Sequence, residues 1–176
     1  KLLREKYDVD IIGMEPALKV ACDRGEHQRI AVWATQLTLS EKKFANLMNR
    51  FKDEHHIIKV PCPELVRMVE DNKLDDAYLV ESCLKEYLAA SDYKNLDSIV
   101  LGCTHFPFYT KYLEKLCPNV HIIEGSVGTT LHTKDLLEQK GLLNTSCEEG
   151  QITWMNTMDP KIELSKCLFK KLEVEL

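Results

Sequence analysis

Long hydrophobic runs are missing from the sequence. Apolar segments such as residues 11–14 and 99–103 are far shorter than the roughly 18 to 20 residues that span a bilayer. The first seven residues are charged helix formers with no apolar segment behind them, which is unlike a secretory signal. We therefore expect no membrane span, no export signal and a cytoplasmic location.

An excess of basic residues is also lacking. The chain has 23 Lys and Arg against 28 Asp and Glu, a formal net charge of −5, and its basic residues are spread along its length. This balance argues against nucleic acid as a partner. With 176 residues, of which 44% are hydrophobic, the chain can form one compact globular domain or slightly more.

The seven cysteines include no C-x-x-C pair and are irregularly spaced. Such spacing suggests neither a disulfide framework nor a zinc site, and we predict no metal. Most of these cysteines should be reduced thiols that behave as small buried apolar residues. An initiator Met is absent and the opening reads as the end of a helix. We therefore expect the chain to begin inside a longer protein.

Repeats and low-complexity tracts are absent too, and what remains is an alternation of short β-rich apolar runs with longer helical patterns. This alternation predicts an α/β fold, a three-layer αβα sandwich with a mostly parallel sheet. The predicted strands cover residues 9–14, 29–35, 56–60, 98–102, 121–124 and 152–156.

Helices are predicted between these strands. One is N-capped by Ser40, and Gly141 has the position of a helix C′ glycine. Residues 141–150 are rich in loop formers and are a candidate crossover between lobes. The other helices are predicted over residues 63–70, 74–90, 107–116, 129–139 and 160–172. The inner face of the helix over 74–90 is predicted to carry Leu79, Cys83, Tyr87 and Leu88.

The segment most informative about chemistry is residues 98–107, SIVLGCTHFP. An apolar strand ends there, Cys103 and His105 follow at its carboxyl end, and Pro107 begins a helix. Ligands bind at that edge of open α/β sheets, and a helix N-terminus favours a thiolate. The pair predicts a reactive thiol tuned by an imidazole. A buried structural cysteine beside a surface histidine is the alternative, since this spacing alone is a weak signal.

The run LGCTHFP resembles the second catalytic cysteine motif of glutamate racemases, usually written G-C-T-H-Y-P. Four further segments resemble motifs of that family in the same order, and together they cover most of the chain up to about residue 140. They are IIGMEPALKVA at 11–21, AVWATQLTLS at 31–40, PCPELVRMVE at 61–70 and HIIEGSVGT at 121–129. The last thirty residues are not diagnostic.

The resemblance implies roles for six residues. Cys103 matches the family's second acid/base thiol, and Thr104 and His105 match residues that bind substrate or assist this thiol. Glu70 matches an acidic residue near the same thiol. Two threonines, Thr35 and Thr38, match a pair that helps to hold a substrate carboxylate. Cys62 lies in a matched motif but is taken as structural, and the remaining histidines are taken as surface or satisfied side chains: His27, His55, His56, His121 and His132.

Some positions depart from the family pattern. No C-N-T sequence is present, so the motif that carries the family's first catalytic cysteine is missing from these residues. Four other residues depart from the pattern without removing a reacting group: Leu37, Ala34, Phe106 and Glu124. Of these, Leu37 could narrow the pocket or shift the loop.

The family resemblance implies two lobes with the substrate between them. Residues 8–117 would form the second lobe, and residues 118–176 a segment that normally packs back on the first. It further implies cofactor-independent interconversion of L- and D-glutamate by two opposed thiols, and a role in supplying D-glutamate for peptidoglycan and thus cell shape. Because family members often dimerise, it also implies a homodimer. Because one thiol is missing, we expect this chain alone to be inactive or nearly so.

Three other interpretations remain open at this point. A related racemase for aspartate or hydantoins is one, although aspartate racemases typically carry Glu where this chain has His105. A binding domain that keeps the scaffold without turnover is the second. A hydrolase built on Cys103 and His105 is the third, and it is disfavoured because the sequence shows no third group to orient the histidine.

Overall fold

The structure is a computed structural model that describes residues 2–14, 17–146, 148, 150–158 and 160–173. Its sheet has four parallel strands in the order β2-β1-β3-β4. The strands are β1 (Arg29–Ala34), β2 (His56–Pro61), β3 (Ser98–Leu101) and β4 (His121–Ile123). The register places Trp33 of β1 beside Val60 of β2 and Leu101 of β3. The carboxyl ends of the two central strands therefore lie side by side.

Helices connect and flank the strands. Two short 3₁₀ helices cover Tyr93–Asn95 and Phe106–Tyr109. The α-helices are α1 (Leu2–Lys6), α2 (Leu18–Cys22), α3 (Gln36–Ser40), α4 (Lys42–Asn49), α5 (Pro63–Glu70), α6 (Ala77–Ala90), α7 (Thr110–Leu116), α8 (Ser126–Gln139) and α9 (Pro160–Glu173). Among the residues that the structure describes, no helix is long and apolar enough to cross a bilayer.

Side chains of β1 alternate between two hydrophobic cores, one on each face of the sheet. Ala31 and Trp33 join the larger core beneath α5, α6 and α7. Ile30, Val32 and Ala34 join the smaller core with α2, α3 and α4. Because successive residues of a strand point to opposite faces, an almost continuous apolar run buries both faces of a parallel strand. Two helical layers thus cover the sheet, which confirms the predicted three-layer α/β sandwich.

The largest fully buried side chain, Trp33, is also held by a polar contact. Its indole Nε1–H donates to Ser91 Oγ at 3.0 Å, and the Ser91 hydroxyl donates to the Tyr87 carbonyl at 2.6 Å. A buried donor that lacked a partner would cost about 1–3 kcal/mol. This chain of hydrogen bonds joins the centre of the sheet to the end of α6.

Four of the six predicted strands are confirmed within a residue or so of their predicted ends. The other two predictions, over residues 9–14 and 152–156, are wrong. Both segments lack regular structure, and Val9 and Met155 are largely exposed. Neither segment has a neighbouring strand to satisfy its backbone N–H and C=O groups, so their apolar residues do not produce a strand.

Several predicted helix starts differ from the structure, and α8, for example, begins at Ser126 instead of residue 129. Ser40 does not cap the helix that follows it, because it ends α3 and its hydroxyl donates to the Leu37 carbonyl at 2.9 Å. Helix α6 begins at Ala77 instead of residue 74, with Asp76 as the N-cap that accepts from Leu79 N–H. Leu79 was predicted on its inner face but is 38% exposed. The residues of α6 that are buried are Val80, Leu84 and Leu88.

The prediction that Gly141 terminates a helix is confirmed. Its φ is +64°, its N–H donates to the Glu138 carbonyl, and the Leu142 N–H donates to the Leu137 carbonyl at 2.8 Å. These two bonds form a Schellman motif, which satisfies carbonyls at the end of α8. The loop that follows, predicted as a crossover, has no regular structure in its described part.

Candidate functional site

Cys103 lies just beyond the carboxyl end of β3. The preceding Gly102 N–H donates to the Trp33 carbonyl at 2.8 Å, so the chain is held against β1 until one residue before the thiol. The Cys103 carbonyl then accepts from Phe106 N–H at 3.1 Å, which turns the chain into a 3₁₀ helix. The α-helix predicted to begin at Pro107 is therefore delayed to Thr110. Buried Phe106 and Tyr109, whose hydroxyl donates to the Leu65 carbonyl, anchor this tighter turn.

A chain of polar contacts extends from the thiol. Cys103 Sγ lies 3.7 Å from His105 Nδ1, and His105 Nε2 lies 2.9 Å from Glu70 Oε1. The other carboxylate oxygen of Glu70 accepts from Lys161 Nζ at 2.8 Å. Glu70 ends α5 and Lys161 is in the first turn of α9. Three segments distant in sequence therefore meet in one line of thiol, imidazole, carboxylate and ammonium.

These contacts shift the pKa values of the groups in opposite directions. Burial raises the pKa of the Cys103 thiol, but hydrogen bonds and the charge of His105 outweigh burial and lower it below the ordinary 9.0. The bond to Cys103, opposed by burial and supported by Glu70, raises the pKa of His105 from 6.5 to about 9. Hydrogen bonds from Lys161 and then His105 lower the pKa of Glu70. The arrangement stabilises the thiolate form of Cys103 beside an imidazolium.

The contrast with Cys62 shows that the environment of Cys103 is specific. Cys62 is fully buried, and burial raises the pKa of its thiol far above the ordinary value. Its Sγ–H donates to the Val60 carbonyl at 3.3 Å. A thiol that remains protonated in a core is chemically inert, which agrees with its prediction as structural.

The two threonines predicted to bind substrate are joined to each other. Thr35 is the N-cap of α3, its Oγ1 accepts from the Thr38 N–H at 3.2 Å, and the two hydroxyl oxygens lie 3.0 Å apart. Thr35 directly follows β1, the neighbour of β3. The topology therefore brings this pair to the same edge of the sheet as Cys103, as expected where the carboxyl ends of parallel strands gather.

A pocket of ≈ 790 Å³ opens at this edge. Thr38, Cys103 and Thr104 contribute to its wall, together with apolar side chains of α4 such as Phe44 and Leu47. Thr35, His105 and Glu70 are not among its lining residues. Thr35 and His105 contact the lining residues Thr38 and Cys103 directly, and Glu70 reaches Cys103 only through His105. The six predicted residues thus form a pocket wall and a supporting layer.

Lys161 was not among the residues predicted from the sequence. It lies 58 positions beyond Cys103, in a part of the chain that matched no motif, and single lysines carry no pattern. Glu70, which the family resemblance implies to be near the thiol, lies at hydrogen-bond distance from His105 and is the third group that orients the ring. Both contacts depend on how α5 and α9 are placed in space. Groups of histidine, cysteine and carboxylate side chains able to hold a metal ion are not found in the described part of the chain.

The fold and the site together define a class. An all-parallel α/β domain with a thiol of lowered pKa at the carboxyl edge of its sheet has the arrangement of an enzyme that binds a small molecule at that edge. Comparison with known proteins narrows this class. No family model matches the chain.

Curated relatives and solved structures identify the family. The glutamate racemase of Bifidobacterium animalis subsp. lactis is 49% identical over 174 residues, which are 97% of this chain and 67% of that protein. The glutamate racemase of Clostridium acetobutylicum is 40% identical over 91% of the chain and 63% of its own length. The chain therefore spans about two thirds of the length of these relatives. It belongs to the glutamate racemase family, whose members are isomerases.

Structural comparison agrees with the sequence relatives. The chain is similar to Escherichia coli glutamate racemase in complex with L-glutamate and the activator UDP-MurNAc-Ala, with a TM-score of 0.74 and 25% identity. That match covers 96% of this chain and 64% of the other. The glutamate racemase of Thermus thermophilus, in complex with beta-chloro-D-alanine, gives a TM-score of 0.70 at 26% identity over 94% and 61%. The resemblance drawn from the five motifs is confirmed.

Proposed function

We propose that the protein containing this chain interconverts L- and D-glutamate without a cofactor, and that Cys103 is one of two acid/base thiols. The observation that carries the proposal is the contact between His105 and Cys103, a residue of the pocket wall, with the thiol pKa lowered. Support comes from family membership and from relatives whose structures hold L-glutamate or D-glutamate.

The chemistry requires removal of a proton from an unactivated Cα. In the proposed step the Cys103 thiolate takes the α-proton from one face, the C–H electron pair moves into the carboxylate as an enolate-like state, and a protonated thiol on the opposite face delivers a proton to Cα. Thiol and thiolate have then exchanged roles, and the reverse direction restores them. No electrons are gained or lost, so no oxidant is needed.

His105 has two tasks in this scheme. As an imidazolium it stabilises the thiolate that must form before proton removal, and as a hydrogen-bond partner it keeps Sγ directed to the pocket. Glu70 holds the ring through Nε2 and helps to keep it charged. Both are positioning residues here, because Cys103 is the group that reaches the reacting atom.

The substrate carboxylate is assigned to the edge formed by Thr38 and Thr104, which line the pocket with Cys103. Thr35 acts through Thr38, since it fixes that side chain and its N–H. Fixed donors at this position stabilise the charge that develops on the carboxylate in the transition state. Orientation of the substrate by such donors also aligns Cα with the thiol.

This chain alone is expected to be inactive or nearly so. We assign residues 8–117 to the second lobe and residues 118–176 to a segment shared with the first, while the motif of the opposing cysteine does not occur in the sequence. The full-length protein is expected to supply D-glutamate for peptidoglycan in the cytoplasm, and to be capable of forming a homodimer. An aspartate or hydantoin racemase, and a binding domain without turnover, are the outcomes that would replace this proposal.

The test follows the α-proton of each glutamate enantiomer by NMR in heavy water. The full-length protein should exchange the α-proton and produce the opposite enantiomer, and Cys103→Ala should reduce the rate by on the order of 10²- to 10⁴-fold. Cys83→Ala is the matched control, because Cys83 is a half-buried thiol packed on the larger core with a raised pKa. It should retain activity.

Three results would count against the proposal. Exchange with aspartate or a hydantoin in place of glutamate would assign a sister enzyme. Silence of the full-length protein with every substrate would assign a binding domain. Full interconversion by the present chain alone would overturn the requirement for a thiol outside it.

A further inference from the structure

Lys161 makes two hydrogen bonds to one residue of another helix. Its Nζ donates to Glu70 Oε2 at 2.8 Å and to the Glu70 backbone carbonyl at 2.8 Å. The carbonyl is one of the last in α5 and has no partner within its own helix. The Lys161 ammonium thus provides a hydrogen-bond donor for a carbonyl at the end of α5 and fixes the carboxylate of the same residue. The two residues are 91 positions apart in the sequence.

Glu70 needs such a partner if it is to orient His105. Its side chain is 44% exposed and contains three rotatable bonds, so in isolation it would sample several rotamers in water. In the structure each carboxylate oxygen has its own partner, with Oε1 at His105 and Oε2 at Lys161. Two partners on opposite oxygens restrict the carboxylate to one orientation.

Helix α9 is held to the domain by contacts besides Lys161. Lys171, near its C-terminal end, pairs with Asp75 in the loop before α6. Leu168 packs against the larger hydrophobic core. Loss of the Lys161 ammonium alone should therefore leave α9 docked, and the two lysines provide matched ion pairs on one helix, of which only one touches the thiol network.

From these contacts we propose that Lys161 is a positioning residue for Cys103, acting through Glu70 and His105, so that the docking of α9 sets the reactivity of the thiol. The catalytic consequence of this role rests on the proposed function. The reactivity of the Cys103 thiol can be measured whether or not that function is correct. It assigns a role to a segment that matched no family motif.

The direction of the effect follows from the geometry. Without Lys161 the carboxylate of Glu70 is free to turn to solvent, and His105 loses the partner that holds its ring toward Cys103. Burial, which raises the thiol pKa, then acts with less opposition from His105. The thiol pKa of Cys103 should rise and its thiolate fraction near neutral pH should fall.

The experiment measures alkylation of Cys103 by iodoacetamide in this chain between pH 5 and 10, with mass spectrometry of the peptide that contains it. Lys161→Met should slow alkylation at pH 7 about threefold or more, because the thiolate is the reacting form, and should move the profile to higher pH. Lys161→Arg should restore most of the reactivity, since a cation remains at Glu70 Oε2. Lys171→Met, the matched control, should leave the profile unchanged.

Three outcomes overturn the proposal. Either Lys161→Met alkylates as the unchanged chain does, or Lys171→Met shifts the profile equally, which would mean that α9 acts only as a structural cover. A shift toward lower pH in Lys161→Met would also overturn it, because the ammonium would then be acting only by its charge on Glu70.

Kinetic measurements on the full-length protein distinguish failure of this proposal from failure of the proposed function. There Lys161→Met should lower kcat/KM for glutamate and move the acid limb of its pH profile upward, while Lys161→Arg restores both. If the unchanged protein does not racemise glutamate but the alkylation shift is present, the proposed function fails and the positioning role stands. If racemisation is present and neither profile shifts, the positioning role fails alone.

Discussion

The chain has two kinds of region, a packed domain over residues 17–123 and flanking segments on both sides. Both hydrophobic cores consist of buried residues of the packed domain. In the described parts of residues 2–14 and 124–173, no side chain is buried. The predicted strands were confirmed in the packed domain and the two that failed, 9–14 and 152–156, lie in the flanks.

This difference shows what each kind of secondary structure needs. A helix satisfies its backbone hydrogen bonds within itself, so α8 and α9 form although no α8 residue is buried. A strand satisfies them only against a neighbour. An apolar alternating segment outside the sheet therefore has the sequence pattern of a strand, but it forms no strand because no neighbouring strand pairs with its backbone.

The largest effect expected from this comparison is on stability. Leu84 in α6 and Leu131 in α8 lie in helices of equal length, 14 residues each, but Leu84 is fully buried and Leu131 is 55% exposed. Leu84→Ala should cost about 2–5 kcal/mol of unfolding free energy, and Leu131→Ala should stay within about 0.5 kcal/mol. Urea unfolding of this chain measures both. Equal losses would show that α8 is packed as tightly as α6.

A smaller effect is expected at the end of α8. Gly141→Ala places a side chain at φ +64°, where the surrounding space is open, so the cost of about 1 kcal/mol is one of backbone conformation. Gly128→Ala, inside the same helix and also in open space, should stabilise by a similar amount or less. Amide exchange of Leu142 should accelerate in the first variant and not in the second. Protection unchanged in Gly141→Ala would contradict the Schellman assignment.

The smallest effect is the pH dependence of the contact between the packed domain and α9. The pKa of Glu70 is lowered in the folded state, so its contribution to stability is present above the unfolded value of 4.5 and is lost as the pH falls through the folded value. Since Glu70 is 44% exposed, the contribution should be under about 1 kcal/mol. Urea midpoints of the protein and Glu70→Gln should differ at pH 7 and converge at acid pH. If the difference between the two urea midpoints grew below pH 4.5, the assigned direction of the pH dependence would be wrong.

The predictable part of the site was local in sequence. Cys103 and His105 share one motif. The apolar run of β3 predicted a strand, and both residues lie at its carboxyl end. Thr35 and Thr38 belong to a single turn, so their hydrogen bonds also follow from neighbouring positions. The assignment of roles to these residues came from the family motifs, and the roles remain predictions.

The sequence by itself determined the elements whose hydrogen bonds or burial depend on near neighbours: the four strands with apolar runs, the helix at Pro63 and the termination at Gly141. Only the tertiary structure decided which residues of distant segments meet. It placed Glu70 beside His105 and Lys161 beside Glu70, and it left residues 9–14 and 152–156 without a strand partner. The physical reason is that an ion pair or a β-ladder requires two surfaces brought together by packing, and one stretch of sequence specifies only one of them.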